Sequence, residues 1–246
     1  MKLFKAILLL FIFISPIEAN TIYNLIKIPN LEIYEIKTKN KIKYLYAASS
    51  FRLGVQKNII CLNSSKKDYD NKYKIISHNL GKYSKKFLKK INLKYIVMCE
   101  NLSISGIGAA GIPDNTMKTL VLDIKFNEKY FERVIHHEVF HIINDEYKEI
   151  FNEIDWKKFN PSNFRYAKCS TCTENLGLNT YKKTMGFFSE YSKSTASEDM
   201  AEVFSHLIYL DPEKIKNIRN SDSILNEKIS YIENKIKKID HNFSFQ

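Results

Sequence analysis

Apolar and polar residues alternate with a period of two in the first part of the chain, a pattern typical of half-buried β-strands. The alternation occurs in Leu31–Ile36 and Ile42–Tyr46. Two further apolar runs, Leu93–Cys99 and Thr119–Ile124, have the length and composition of strands. Between them, the glycine-rich segment Ser105–Pro113 predicts a turn at which backbone approaches backbone, or a substrate, closely. We therefore expect a small mixed sheet in the N-terminal half.

Helical periodicity is the main pattern elsewhere, because apolar residues recur at spacings of three and four. The predicted helices cover Asp68–Ile91, Asn127–Glu146, a segment from about Thr195 to Ile208, and Ser221–Ile239. Gly81 is a weak point within the first helix, and Trp156–Thr184 is rich in loop-forming residues. The last helix has an apolar stripe that we expect to dock on the core, although the lysines opposite it leave a membrane or a partner as an alternative. The fold class predicted is α+β, with a mainly helical C-terminal half.

The central predicted helix contains His137, Glu138 and His141 in the spacing HExxH. Residues four apart lie on one face of a helix, so both imidazoles can reach one zinc ion. Glu138 can then take a proton from a water at the open coordination position. The flanking residues are apolar, which favours a buried site over incidental histidines. His136 is five residues before His141 and points to a different face, so we interpret it as a neighbour and not as a ligand.

A catalytic zinc site needs a third protein ligand, and Glu198 is the best candidate. Glu202 lies four residues later on the same helical face, where it can accept the second N–H of His137 or His141. An acidic first turn stabilised by the helix dipole would also explain Glu198, but it does not explain Glu202 beside the apolar stripe. Asp145 could also hydrogen-bond a ligand, or could be exposed at the helix end.

HExxH followed by a downstream ExxxE is the pattern of the gluzincin metallopeptidases. The segment Gly186–Glu202 further resembles bacterial zinc-binding metallopeptidases related to the anthrax lethal factor catalytic domain and the Pro-Pro endopeptidases. The resemblance implies a zincin-like domain with one zinc ion per chain and Glu198 as the third ligand, opening an E-x-x-A-E helix. It also implies that Tyr191, seven residues before Glu198, faces the site and donates its hydroxyl to the oxyanion.

Residues 1–19 have a lysine-bearing start, an apolar run and Ala19 before a plausible cleavage point, which predicts a secretory signal peptide. Residues 20–246 are then a single domain, without an integral membrane segment, located in the periplasm or outside the cell. In such a compartment the four cysteines should be oxidised. Cys61–Cys99 with Cys169–Cys172 is the most natural of the three pairings. A second zinc site or a redox site at the CxxC lacks the further residues that it would need.

The formal net charge is +11, but the lysines are scattered and no nucleic-acid-binding motif is present, so we do not expect a nucleic-acid partner. The hypothesis from the sequence is a secreted, monomeric zinc-dependent endopeptidase acting on peptides or proteins. A zinc hydrolase of a non-peptide amide, such as cell-wall material, could use the same ligands. A catalytically silent, zinc-stabilised binding module is the alternative from another class.

Overall fold

The computed structural model describes residues 31–35, 37–53, 55–174, 176–180 and 185–245. The predicted signal peptide, residues 1–19, lies outside the described residues, as does Ile36 at the end of the first predicted strand. The extent of the domain, 20–246, therefore stays a prediction.

Within the described residues, eight strands form a curled mixed sheet. They are β1 (Leu31–Glu35), β2 (Lys43–Ala47), β3 (Phe51–Leu53), β4 (Ile59–Leu62), β5 (Tyr95–Ile104), β6 (Ile107–Gly108), β7 (Gly111–Asp114) and β8 (Thr119–Asp123). The first half of β5 lies between β2 and β8 and is parallel to both, while β1 and β7 are antiparallel outer strands. The second half of β5 pairs with β4 and β6. The segment Ser105–Pro113 is therefore more ordered than the predicted turn, since it contains β6 and most of β7.

A bend within β5 separates its two halves. Asn101 has φ 48°, in the left-handed region. The Asp123 carboxylate stabilises this bend by accepting the backbone N–H groups of Asn101, at 3.0 Å, and Leu102, at 3.3 Å. Asp123 ends β8, so this bend is fixed next to the start of the central helix.

In the part of the chain that the structure describes, seven α-helices follow or interrupt the strands. They are α1 (Lys66–Leu80), α2 (Lys85–Lys90), α3 (Glu128–Glu146), α4 (Glu153–Lys157), α5 (Ala196–Tyr209), α6 (Pro212–Ser221) and α7 (Ser223–Ile239). The single helix predicted over Asp68–Ile91 is wrong, because the chain breaks at Gly81 and Ser84 starts a new helix by accepting the Phe87 N–H at 3.0 Å. Helix α6 was not predicted; Asp211 caps its start, and Pro212 occupies its first turn.

The main hydrophobic core lies between the sheet and the helices, and a smaller one lies on the other side of the sheet. The predicted docking of the last helix on the core is confirmed by the burial of its whole apolar stripe: Leu225, Ile229, Ile232, Ile236 and Ile239. Both predicted disulfides are present, with Cα–Cα distances of 5.7 Å for Cys61–Cys99 and 5.1 Å for Cys169–Cys172. Within the described ranges, no helix combines the length and apolarity needed to cross a membrane. The predicted α+β architecture is confirmed.

Candidate metal centre

The two histidines of the HExxH sequence lie on α3, one turn apart. Asn127 caps this helix by accepting the Lys129 N–H at 3.0 Å, so α3 begins where the sequence predicted. The apolar residues around His137 and His141 are buried between the sheet and α5. Because the helix cannot rotate without exposing them, both imidazoles are directed into the same cleft.

Helix α5 presents Glu198 to these histidines. Thr195 caps α5 and accepts the Glu198 N–H at 3.2 Å, which places Glu198 in the first turn. Glu198 Oε2 lies 2.9 Å from His137 Nε2 and 3.1 Å from His141 Nε2, and the two Nε2 atoms are 3.2 Å apart. Three potential metal-ligand atoms from two helices therefore converge on one point.

This group of atoms fits a zinc ion. Zinc takes nitrogen and oxygen ligands at about 2.0 to 2.1 Å, for which the edges of a regular tetrahedron measure roughly 3.3 Å. The observed separations of 2.9 to 3.2 Å are close to that value. Burial opposes a charge on His137, but hydrogen bonds to Glu198 and Glu202 raise the pKa of His137 to about 10. The carboxylates thus favour a cation at this position, which is what a divalent metal supplies.

Glu202 orients the first histidine, and the structure decides between the two candidates in favour of His137. Glu202 Oε1 accepts from His137 Nδ1 at 2.9 Å. Its other oxygen accepts from Arg133 and from Ser189, each at 2.5 Å. Burial works to raise the pKa of Glu202, but Arg133 and His137 hold it well below its usual range. Glu202 is therefore an anion that fixes the His137 tautomer with Nε2 directed at the metal position.

Sequence reasoning missed Arg133 and Ser189. Arg133 could have been found, since it lies four positions before His137 and therefore on the same face of the helix. Its guanidinium also donates to the Leu178 carbonyl at 2.5 Å, which joins the cleft wall to the His137–Glu202 pair. Nothing in the sequence distinguishes Ser189 from other serines.

The second histidine has weaker polar neighbours. His141 Nδ1 lies 3.4 Å from the Ser197 hydroxyl, which in turn accepts from Asn144 at 3.4 Å. Asp145, which the sequence offered as a partner for a histidine ligand, instead pairs with Lys148 at 2.6 Å near the protein surface.

Glu138 is buried beside the three converging side chains, with 8% of its surface exposed. Strand β7 approaches it so closely that a Cβ atom added to Gly111 would lie 2.6 Å from Glu138 Cγ. Burial raises the pKa of Glu138 above its ordinary value, and His137 and His141 only partly oppose this. A raised pKa brings a carboxylate closer to the range that suits a general base.

Tyr191 begins a short 3-10 turn just before α5, and its backbone N–H donates to the Gly177 carbonyl at 3.1 Å. Its ring centroid lies 5.8 Å from that of His137. Burial and the nearby carboxylates of Glu198 and Glu138 raise the pKa of its hydroxyl far above the usual range. Tyr191 is therefore a neutral phenol that can donate a hydrogen bond at neutral pH.

His136 is directed away from this site. It is fully buried, with Nδ1 2.7 Å from the Tyr83 hydroxyl and Nε2 3.1 Å from Asn79 Oδ1. Burial lowers its pKa to about 3. These contacts agree with the interpretation of His136 as a neighbour.

A buried ion pair braces the helix that carries Glu198. The next residue, Asp199, accepts from Lys228 of α7 at 2.6 Å, from Trp156 of α4 at 2.9 Å and from Tyr166 at 2.5 Å. Lys228 and Asp199 are fully buried, so separating them would leave an unpaired charge in the interior. The pair therefore holds α5 against the C-terminal helix. The end of the chain thus supports the position of Glu198.

The three converging side chains, Glu138 and Tyr191 all line one open cleft of about 830 Å³. The cleft is also lined by the end of β5, by β6 and β7, and by Thr171, Leu176 and Leu178. Strand β7 pairs with β8 alone among the described strands, so its outer edge borders the cleft. Pro113 fits there, because an outer strand tolerates a residue without an N–H.

Two comparisons identify similar proteins. A family model described as "Putative zinc-binding metallo-peptidase" matches residues 82–243. The crystal structure of a "putative zinc-binding metallo-peptidase" from Bacteroides caccae superimposes with a TM-score of 0.53 at 17% sequence identity, and covers 91% of this chain and 87% of the other. At that identity the likeness concerns the fold. No curated protein matches the sequence significantly.

Proposed function

Since residues 82–243 match this family model, the chain belongs to the zinc-binding metallo-peptidase family, and we propose that it is an exported zinc-dependent endopeptidase. The observation that carries the proposal is the convergence of His137, His141 and Glu198 to within 3.2 Å of one another, with Glu138 beside them in an open cleft. A purely structural zinc site would have all its positions filled by protein. Among the described residues, only three side chains form this group.

His137, His141 and Glu198 are the proposed ligands of one zinc ion per chain. When bound, zinc supplies Lewis acidity, which makes a water molecule more nucleophilic at neutral pH and polarises a carbonyl group. Glu202 and Arg133 keep His137 in the tautomer that leaves Nε2 free for the metal.

Glu138 is the proposed general base. Its carboxylate takes a proton from the water that attacks the scissile carbonyl, and the resulting carboxylic acid gives that proton to the leaving amine. Tyr191, which lines the same cleft, donates its hydroxyl to the oxygen on which negative charge develops. The raised pKa values of both side chains support these assignments.

The outer edge of β7 is the proposed platform for the substrate. The Asp123 N–H donates to the Ala110 carbonyl at 3.0 Å, and Ile112 lies opposite Val121. Alternation in an antiparallel pair then leaves the backbone groups of Gly111 facing the cleft. An extended peptide can add to this edge as a further strand, with its scissile bond near Glu138.

Export is part of the proposal. Two disulfides within the described residues are compatible with an oxidising compartment, and the sequence of residues 1–19 has the features of a leader peptide.

The test is mass spectrometry of a diverse peptide library incubated with zinc-loaded residues 20–246. Glu138→Gln should abolish the cuts and leave zinc content and folding unchanged. Glu227→Gln, at an exposed position of α7, is the matched control and should cleave normally. Full cleavage by Glu138→Gln would refute the assignment. Silence of the unaltered protein on peptides, with release of amines from cell-wall material, would favour the non-peptide amide hydrolase.

A further inference from the structure

A short hairpin with two exposed isoleucines stands at the rim of the cleft. Ser105 and Gly106 join β5 to β6 with φ values of 51° and 81°, the combination that a type I′ turn requires. This turn places Ile104 directly opposite Ile107, on the same face. The two side chains are 37% and 51% exposed, and both line the cleft that contains Glu138.

The hairpin is held in place by its neighbours. The Ser105 N–H donates to the Asn58 carbonyl at 2.8 Å, and the Asn58 side chain donates to the Ser105 hydroxyl at 3.2 Å. Strand β4 pairs along the other side of β5, with Ile59 opposite Ile104. The exposed isoleucines are therefore presented by a preformed element, which reduces the entropy that a ligand must overcome on binding.

If a substrate binds antiparallel to β7, the chain direction fixes which of its ends meets the hairpin. From Ile107 the chain continues through Gly108 to Ala110 into β7, which begins at Gly111 beside Glu138. A peptide bound antiparallel to β7 has its C-terminal part toward the beginning of that strand. Its residues after the scissile bond therefore lie on the side of Ile104 and Ile107.

We infer that Ile104 and Ile107 form a subsite for a bulky apolar side chain of the substrate, located within the first few residues after the scissile bond. This inference rests on the proposed peptidase function and specifies its substrate class. Leu176 is 47% exposed and lines the same cleft, so it adds to the apolar surface of the cleft. Covering these side chains with an apolar residue removes from water a surface that is otherwise exposed.

The experiment is a positional scan of peptide cleavage by the zinc-loaded mature protein and by Ile107→Asp. The unaltered enzyme should prefer leucine, isoleucine or phenylalanine after the scissile bond. Ile107→Asp should lower kcat/KM for these peptides roughly ten-fold or more, with little effect on peptides that have alanine there. Ile154→Asp is the matched control, because Ile154 is 70% exposed on α4 and does not line the cleft. Its preference should equal that of the unaltered protein.

A binding measurement distinguishes failure of the subsite from failure of the peptidase function. In the Glu138→Gln background, fluorescence anisotropy of a labelled apolar peptide should show weaker binding when Ile107→Asp is added. Cleavage without any preference after the scissile bond, or an equal loss in Ile154→Asp, would overturn the subsite and leave the peptidase function intact. If the unaltered protein binds apolar peptides through Ile107 without cutting them, the subsite is supported and the peptidase function is refuted.

Discussion

A single methyl group at Gly111 should displace Glu138, the proposed general base. The Cβ of an alanine at this position would lie 2.6 Å from Glu138 Cγ, 3.0 Å from Glu138 Cδ and 3.2 Å from Leu122 Cδ2. Carbon atoms in contact are separated by about 3.5 to 4.0 Å, so the Glu138 side chain has to move by about 1 Å. Displacements of this size in a catalytic group cost about 100-fold in rate. We therefore expect Gly111→Ala to reduce kcat about 100-fold.

The proposed zinc ligands do not include Gly111, so the zinc content should change little in this variant. Overpacking should lower the free energy of unfolding by about 1 to 3 kcal/mol. The measurements are kcat and KM on a fluorogenic peptide, zinc content, and the thermal midpoint. Gly108→Ala is the matched control, because an added Cβ there has no atom within 4 Å. If Gly111→Ala retains full kcat, the close packing of β7 on Glu138 does not position the base, and the reasoning fails.

Two further predictions concern the buried polar groups around the site. Arg133→Met should raise the zinc dissociation constant by roughly 10- to 100-fold, because Glu202 loses the cation that fixes it against His137. The constant can be measured by competition with a chelator. An unchanged constant would show that Glu202 needs no such partner. Burial lowers the pKa values of His136 and His206 to about 3. Below pH 6.5 the unfolded chain therefore takes up protons that the native protein does not, and the free energy of unfolding decreases as the pH is lowered. At pH 5 this lowers the free energy of unfolding by about 2 kcal/mol for each histidine. Urea unfolding should therefore show a clear loss of stability between pH 7 and pH 5, and about half of that loss should disappear in His136→Gln. An equal dependence of stability on pH in both proteins would refute this prediction.

The proposed metal ligands could be predicted because their spacing is a local property of a helix. His137 and His141 must lie on one face once the segment is helical, and the same argument pairs Glu198 with Glu202. The apolar stripe of the last helix likewise predicted its docking on the core, which the burial of Ile229 confirms. The roles proposed for these residues in catalysis stay predictions until the variants are measured.

The apolar periodicity did not predict the helix boundaries correctly, because capping residues compete with it locally. The periodicity across Asp68–Ile91 is continuous, but Ser84 provides an N-cap that favours starting a new helix over continuing the old one. The short strands of Ser105–Pro113 were missed for the opposite reason. Glycine-rich sequences have low strand propensity, and it is pairing with β5 and β8 that makes these segments extended.

The sequence by itself determined which residues can bind zinc and in which register, since helical geometry relates positions that are close along the chain. It also determined which helices have an apolar face to bury. Only the tertiary structure decided that Glu202 serves His137, that Arg133 and Ser189 complete this contact, and that β7 packs Gly111 against Glu138. These contacts join residues distant in sequence, and their distances depend on how helices and strands pack, which no local spacing encodes.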